Sequence, residues 1–246
     1  CVSDGFNDVI NSKLSGIDGH IRIRSYLGNK MTEDDIREID SIIHHASNII
    51  NFTSPYIEKH AIIRKGSISE GVIIYGVPEK ALDQIFQLNQ FTKAKSHFYN
   101  DGGIIIGSKL AEMMRILKDD DVILINPETM VADQLFKARK MNVVNTFKTD
   151  FPEYDRLLAF ISIDTAKEYF SFEDYVSGLI VSVETPESIE NIDMILSESL
   201  KMKPYITTTW KERHANLLEW LNIYDVPIKL IMFFITAAGI FNICAS

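Results

Sequence analysis

Cysteine is nearly absent from this sequence. The 246 residues contain two, Cys1 and Cys244, at the extremes of the chain. The body between them therefore has no disulfide framework and no cysteine metal site. Positive charge is also scarce, because 25 Lys and Arg stand against 34 Asp and Glu and give a net charge of −9. Nucleic-acid binding normally needs a basic patch, so this balance argues against it.

Motifs for catalysis or ligand binding are missing as well. The histidines are scattered, and the adjacent pair His44 and His45 points to different sides of a helix, so no zinc or hydrolase motif forms. Gly102 to Lys109 comes near a phosphate-binding loop, but an apolar strand separates the glycines and the Ser and Lys are in reverse order. Asp119 to Asp121 lacks the ligand spacing of a calcium loop. We predict no catalytic, cofactor-binding or metal residues, and interpret the chain as a mechanical or binding domain.

Apolar residues, by contrast, are plentiful at 46%, enough for a sizeable core. The final stretch, Leu230 to Ser246, carries no charge and stops just short of the roughly 20 apolar residues of a membrane helix. We interpret it as a membrane helix that is cut off; a buried C-terminal helix is the alternative. The chain starts without Met and without a signal segment. It is therefore interpreted as a piece of a longer protein.

Hydrophobic periodicity predicts strands and helices in a mixed order. The segment from His20 to Tyr26 alternates, which predicts a strand with one face in water. Capping boxes at Thr32 to Asp35 and at Thr209 to Glu212 predict two helix starts. The predicted strands are 20–26, 56–65, 71–77, 103–106, 122–125, 142–147, 157–163, 177–183 and 205–208. The predicted helices are 5–14, 32–50, 109–117, 164–170, 185–200 and one that begins at 209.

A small α/β unit at each end of this pattern flanks a strand-rich middle. The predicted fold class is α+β, with one lobe split by an inserted lobe. Residues 18–75 and 176–208 are expected to share one sheet, because each part is too small to bury its own helix face. The predicted divisions are 1–17, 18–75, 76–175, 176–208, 209–227 and 228–246.

Several short segments, each weak alone, occur in a familiar order. They are Gly5 to Asn7, Gly19 to Ile23, Gly103 to Ala111, Asp121 to Pro127, Phe147 to Phe170, Val176 to Gly178 and Trp210 to Ile243. Together they resemble the extracytoplasmic domain of lipoprotein-releasing ABC transporter permeases of the LolC/LolE type, within the MacB/FtsX-like permease superfamily. Asp119 to Asp121 and Asp225 to Pro227 depart from the family pattern, which leaves the subfamily open.

The resemblance implies a two-lobed periplasmic domain, with a porter-like lobe (18–75 and 176–208) split by a Sabre-like lobe (76–175). Residues 1–17 would end a first membrane helix and continue into a lead-in helix, and 228–246 would begin a second. Residues 209–227 would form a stalk that couples the domain to the membrane through Trp210, Leu217, Trp220 and Pro227. We expect Pro227 to kink or interrupt this helix at the membrane edge.

The implied location is the inner membrane, with this domain in the periplasm. The implied partners are a second permease subunit, cytoplasmic ATPase subunits, a lipoprotein substrate and a periplasmic lipoprotein carrier. ATP would be hydrolysed on the separate subunits, so this chain would not be an enzyme. Two alternatives stay open. One is a related permease that acts in efflux or regulates a cell-wall hydrolase, and the other is an unrelated membrane-anchored sensor or enzyme.

The connection from Asn126 to Lys140 is longer than a hairpin between neighbouring strands requires. It combines apolar residues with basic ones, which suits a protruding contact arm. The predicted partner-binding residues are Met130, Val131, Leu135, Phe136, Lys137 and Arg139. The alternative is a solvated loop, or an edge that packs on the second permease.

Overall fold

A computed structural model describes residues 18–26, 28, 30–46, 50–92, 102–131, 137–149, 151–183 and 188–215. Its strands are β1 (Ile21–Ser25), β2 (Met31–Thr32), β3 (Ile50–Lys65), β4 (Ile68–Val77), β5 (Gly103–Gly107), β6 (Asp121–Ile125), β7 (Ala138–Phe147), β8 (Leu158–Ser162), β9 (Tyr175–Val176), β10 (Gly178–Val183) and β11 (Tyr205–Thr209). Its helices are α1 (Glu33–Ala46), α2 (Glu79–Gln84), α3 (Leu88–Phe91), α4 (Ser108–Met114), α5 (Glu128–Val131), α6 (Pro152–Leu157), α7 (Ile163–Phe170), α8 (Ile189–Leu200) and α9 (Trp210–Arg213).

Strand β3 changes partners along its length. Residues 50–56 pair antiparallel with β10, and residues 57–65 pair antiparallel with β4. On its other side, residues 62–64 pair with β6. The strand therefore joins two arrangements, which we call the open sheet and the closed ring.

The open sheet has the strand order β11-β1-β10-β3, with every neighbouring pair antiparallel. Ile21 and Ile23 of β1 are fully buried in one core with Ile39 of α1 and Ile192 of α8. Helices α1 and α8 therefore cover one face of this sheet. Strand β10 pairs with both β1 and β3, which confirms the prediction that the early and late segments share a sheet.

The closed ring runs β3-β4-β8-β5-β7-β6 and returns to β3. Alternate residues of all these strands join one core cluster, so one face of each strand points into it. These residues include Ile63, Ile74, Ala159, Ile104, Val143 and Leu124. Their neighbours of opposite parity on β4, β8 and β5, such as Tyr75, Phe160 and Ile105, join a second cluster with α2 and α3. Strand pairing thus places the β3–β4 hairpin in one ring with strands from residues 76–175, which the predicted division assigns to the other lobe. The division into lobes remains a proposal.

Local signals set the helix starts. Thr32 donates its backbone N–H to Asp35 Oδ2 at 2.7 Å, and Thr32 Oγ1 accepts from the Asp35 N–H at 3.2 Å. Thr209 and Glu212 form the second predicted capping box at the start of α9. Both predictions of helix starts are confirmed.

The α+β fold class is confirmed, with corrections in detail. The strand predicted from residue 157 begins at Leu158, because helix α6 precedes it. Pro152 at the first position of α6 was the missed signal, since proline favours that place. Strand β7 begins at Ala138 rather than at residue 142. Among the described residues, no helix has the length and apolar character needed to cross a membrane. The predicted membrane segments 1–17 and 228–246 lie outside them.

Candidate functional site

The prediction that one face of β1 lies in water is wrong at Arg22, which is only 3% exposed. Its guanidinium donates to Asp18 Oδ1 and to Glu58 Oε2, each at 2.5 Å, and to Tyr75 Oη at 2.9 Å. The rings of Tyr56 and Tyr75 each have their centroid 4.9 Å from Arg22 Cζ. Such geometry combines ion pairing with cation–π contact. Arg22 is therefore a fixed internal cation where the open sheet meets the closed ring.

Asp18 connects this cation to the later part of the chain. Its carboxylate forms an ion pair with Arg213 and lies 2.7 Å from His214 Nε2. Nearby, the Trp210 backbone N–H donates to the His20 carbonyl at 3.0 Å. The segment that leads into β1 and the segment that leaves β11 are thus bound to each other.

His214 also contacts the ring side of the molecule through Tyr154 of α6. The Tyr154 Oη atom lies 2.8 Å from His214 Nε2 and 3.2 Å from Nδ1. A neutral His214 that donates from Nε2 to Asp18 has Nδ1 free to accept from the Tyr154 hydroxyl. We call Asp18, Arg22, Glu58, Tyr75, Tyr154, Arg213 and His214 the junction cluster.

Electrostatics favour these protonation states. Burial, followed by the charge of Arg22, lowers the pKa of His214, which favours the neutral ring. Burial raises the pKa of Tyr154, which keeps its hydroxyl proton available for donation. Burial by itself would lower the pKa of Arg22, but Tyr75, Tyr56 and Glu58 outweigh it and raise the pKa. The cluster is a set of fixed charges and hydrogen bonds.

A cavity of about 720 Å³ lies beside the junction cluster. All seven members of the cluster line it, together with Arg24, Ile73, Glu153, Leu157 and Leu158. In the described part of the chain, no three His, Cys, Asp or Glu side chains are grouped to hold a metal ion. The arrangement joins β1, β3, β4, α6 and α9, which suits transmission of movement between these segments.

The predicted contact arm is only partly visible. Strands β6 and β7 are antiparallel neighbours, as predicted, and Lys137 and Arg139 stand at the β7 end of their connection. Arg139 pairs with Glu168 of α7 at 2.5 Å, and Lys137 Nζ donates at 2.8 Å to Oγ of Ser171, the residue after α7. Both basic side chains therefore contact the α7 region. Leu135 and Phe136 lie outside the described residues, as do the side chains of Met130 and Val131.

Of the predicted stalk residues, Trp210 is described, and its side chain is buried in the core that α1 and α8 form with the open sheet. Leu217, Trp220 and Pro227 lie outside the described residues. Sequence reasoning missed the junction cluster entirely. No local signal distinguished Arg22 or Glu58, because their segments contain other charged residues, such as Arg24 and Lys59.

Sequence comparison connects this geometry to known proteins. The chain is 20% identical over 257 residues to the lipoprotein-releasing system transmembrane protein LolE of Haemophilus influenzae, covering 99% of the chain and 59% of that protein. It is 22% identical over 250 residues to LolC of Neisseria meningitidis, covering 100% of the chain and 59% of LolC. The chain thus spans less than two thirds of the length of these relatives. They confirm the resemblance to lipoprotein-releasing permeases. No family model matches the chain.

Solved structures of ABC-type transporter domains are also similar. The extracellular domain of the noncanonic ABC-type transporter YknZ from Gram-positive bacteria has a TM-score of 0.48 at 14% identity, covering 77% of this chain and 99% of that one. The periplasmic region of MacB from Actinobacillus actinomycetemcomitans has a TM-score of 0.49 at 12% identity, covering 82% of this chain and 94% of that one.

Proposed function

We propose that this chain is the periplasmic domain of an inner-membrane ABC transporter permease that releases lipoproteins. The similarity to LolE and LolC extends over nearly the whole chain, and both carry lipoprotein release in their names. In this proposal the domain contributes no catalysis. ATP hydrolysis on cytoplasmic subunits would drive its movement, and a second permease subunit would face it.

The observation that carries the proposal is the contact between the segment that precedes β1 and the segment that follows β11. A domain inserted between two membrane helices needs its first and last segments side by side, so that both can reach the membrane. Asp18, three residues before β1, contacts Arg213 and His214, four and five residues after β11. These contacts favour an inserted domain.

The junction cluster would transmit displacement of the stalk to both parts of the fold. A shift of α9 moves Arg213 and His214, and with them Asp18 and Tyr154. Asp18 would pass the displacement to Arg22 in the open sheet. Tyr154 belongs to α6, which packs against the ring, so its bond to His214 would pass the displacement to the ring. The segments would move together because each contact is buried or half-buried and is short.

In the same proposal the arm after β6 contacts a periplasmic lipoprotein carrier. Lys137 and Arg139 would fix its base against α7, and Met130, Val131, Leu135 and Phe136 would supply its apolar tip. Replacing residues 130–136 with a short Gly/Ser turn tests this point in the full transporter. Normal carrier binding by a correctly folded variant would remove the arm from the proposal.

The central experiment uses Tyr154→Phe in the full-length permease with its ATPase subunits. The substitution removes one oxygen and cuts the hydrogen bond to His214. We expect lipoprotein release per ATP hydrolysed to fall several-fold while the assembled complex persists. The matched control is Tyr205→Phe, which removes a hydroxyl that donates to Asp35 Oδ1 at 2.6 Å, outside the junction cluster and the arm.

Equal losses in both variants would show a general stability effect and contradict a coupling role. Wild-type release by Tyr154→Phe would contradict it as well. If the wild-type complex releases no lipoprotein but expels small molecules from vesicles, the efflux alternative replaces lipoprotein release.

A further inference from the structure

Strand β11 forms one edge of the open sheet. Within the described residues it pairs with β1 alone. Its sequence, Tyr-Ile-Thr-Thr-Thr, has no charge, no proline and no glycine, and the pairing with β1 is continuous from Ile21 to Ser25. Natural edge strands usually carry a charge, a proline or a bulge that prevents further pairing. β11 has none of these within its five residues.

The hydrogen-bond register shows which backbone groups face outward. The Trp210 N–H donates to the His20 carbonyl at 3.0 Å, and the Tyr26 N–H donates to the Pro204 carbonyl at 3.1 Å. In an antiparallel pair, bonded positions alternate with unbonded ones. Even-numbered residues of β11 therefore bond to β1, and Tyr205 and Thr207 direct their N–H and C=O groups away from it. The Thr209 N–H already donates a hydrogen bond to Glu212 Oε2 at 2.8 Å.

Exposed apolar side chains occur on β11 and on the elements next to it. Of nine exposed large hydrophobic residues in the described chain, four lie on or beside β11. They are Met202 at 93%, Tyr26 at 65%, Met194 at 64% and Ile206 at 51% exposed. Met202 lies in the preceding turn, Tyr26 bonds to Pro204, and Met194 follows Asp193 on α8. A strand added to β11 would bring apolar surface against them.

The charge beside the edge is negative. Thr207 hydrogen-bonds to Asp193 of α8, and Glu190 and Glu212 lie close enough to raise the pKa of Asp193 further, after burial itself. Lys211 is already paired with Glu190. The Oδ1 atom of Asp193 is buried without a hydrogen-bond partner among the described residues. A buried carboxylate oxygen without a partner is stabilised when a cation or a hydrogen-bond donor binds to it.

We propose that the outer edge of β11 is a docking site for an extended polypeptide strand that carries a basic side chain near Asp193. The strand would bond to the outward groups of Tyr205 and Thr207, and its Lys or Arg would meet Asp193 and Glu212. This mode, addition of a strand to an exposed edge, takes affinity from the backbone and specificity from side chains. It does not depend on which cargo the permease releases.

Charge argues against a second copy of this chain as the occupant. Two β11 strands paired antiparallel about Thr207 would bring two Asp193 side chains close together across a two-fold axis. Like charges opposite each other destabilise such pairs. The net charge of −9 adds long-range repulsion between copies. A cationic strand from another protein has neither penalty.

The test uses a fluorescent, capped peptide of seven residues, alternating Thr and Val with a central Lys, and the 246-residue chain. Fluorescence anisotropy measures its binding. We expect saturable binding that weakens at least tenfold when Glu replaces the central Lys, and also on Asp193→Asn. Thr207→Pro should weaken it as strongly, because proline removes the outward N–H but leaves the bonds of Ile206 and Thr208 to β1. Thr208→Val is the control and should bind like wild type, because the backbone of Thr208 bonds to β1 and its side chain lies on the sheet face opposite to that of Thr207.

Three results would overturn the proposal. One is equal binding of the peptide to wild type and Thr207→Pro, when circular dichroism shows both folded. Another is the absence of saturable binding to the wild-type chain. The third is a dimer of the chain in sedimentation experiments that Thr207→Pro converts to monomer, since that would make a second copy the occupant.

Discussion

The two parts that share β3 solve the problem of sheet edges differently. In the closed ring, every strand has a neighbour on both sides, and β6 returns to β3 to complete the circle. In the open sheet, β11 ends the strand order and helices α1 and α8 cover one face. Closure removes edges altogether, whereas an open sheet leaves an edge that can accept another strand.

The difference indicates a division of labour. A closed ring gains rigidity from pairing and from a core enclosed by its own strands. The open sheet holds the buried ion pairs of Arg22 and the segments that lead to the rest of the chain. We therefore expect the open sheet to accept an added strand more readily than the ring does, and changes at the junction to affect both parts.

The largest expected effect is that of Arg22→Met, which would test whether the junction joins the two parts. It removes the shared cation, so Glu58 loses its ion pair with Arg22, whereas Asp18 keeps its contacts with Arg213 and His214. Breaking one side of a buried ion pair costs about 3–5 kcal/mol. Urea denaturation followed by circular dichroism should show a loss of this size.

Adding Asp18→Asn and Glu58→Gln to Arg22→Met supplies the control. If uncompensated charge is the cause, the triple variant should recover part of the stability lost by the single one. A triple variant less stable than Arg22→Met would indicate that packing around the guanidinium matters more than charge.

The next prediction compares the cluster that β8 forms with α2 and α3 and the core that α8 forms with the open sheet. Phe160 of β8 packs with its ring centroid 5.0 Å from Phe86 and 5.6 Å from Phe147. Phe160→Ala should cost about 3–5 kcal/mol, and Leu196→Ala in α8 about 2–5 kcal/mol. Because β3 runs through both parts, we expect each variant to unfold in a single transition.

Both variants are made in a chain that also carries Trp220→Phe, because this substitution leaves Trp210 as the only tryptophan. Tryptophan fluorescence then reports on the open sheet, and far-ultraviolet circular dichroism reports on the whole chain. Separate midpoints for the two signals in Phe160→Ala would show that ring and open sheet unfold independently.

A smaller effect tests close packing of the ring against α6. A Cβ added at Gly107 would lie 2.1 Å from the Asp155 carbonyl oxygen, which is backbone and moves only with its helix. Gly107→Ala should destabilise the chain by roughly 1–3 kcal/mol in thermal unfolding. Gly71→Ala in β4 is the control, since nothing lies within 4 Å of its added Cβ. Equal melting temperatures for both variants would mean that α6 yields easily.

The smallest effect is a pH dependence that belongs to the open sheet. His20 Nδ1 accepts the Val183 N–H at 2.9 Å, and burial lowers the pKa of His20 below its usual 6.5. The unfolded chain therefore takes up this proton first, so stability is complete above about pH 6.5 and falls as pH decreases. The lowered pKa of His214 acts in the same direction.

Urea midpoints at pH 7.5 and pH 6 should therefore differ, with the lower midpoint at pH 6. His20→Asn keeps an acceptor near the position of Nδ1 and removes the titration, so the difference should shrink. An unchanged difference would assign the effect to other groups.

Much of the local structure could be predicted because its causes are local. Thr209 and Glu212 form a capping box within one turn, and Ile189, Ile192, Leu196 and Leu200 mark a buried helix face by their spacing. The short helix α6 was missed because its six residues contain too few repeats for a periodic pattern.

The candidate site could not be predicted, because its members come from distant positions. Arg22 alternates with Ile21 and Ile23, and such a pattern ordinarily places the charged residue in water. Its burial depends on Glu58 and Tyr75, 36 and 53 residues away. Sequence spacing carries no record of such contacts.

The sequence by itself determined the kinds of elements, their order, the α+β class and the resemblance to lipoprotein-releasing permeases, since these follow from neighbouring residues and short motifs. Only the tertiary structure decided that β6 closes the ring on β3, that β11 ends the strand order among the described residues, and that Asp18 meets His214. Those outcomes depend on long-range pairing, in which the energy of burying and neutralising groups far apart in the chain selects one arrangement among many.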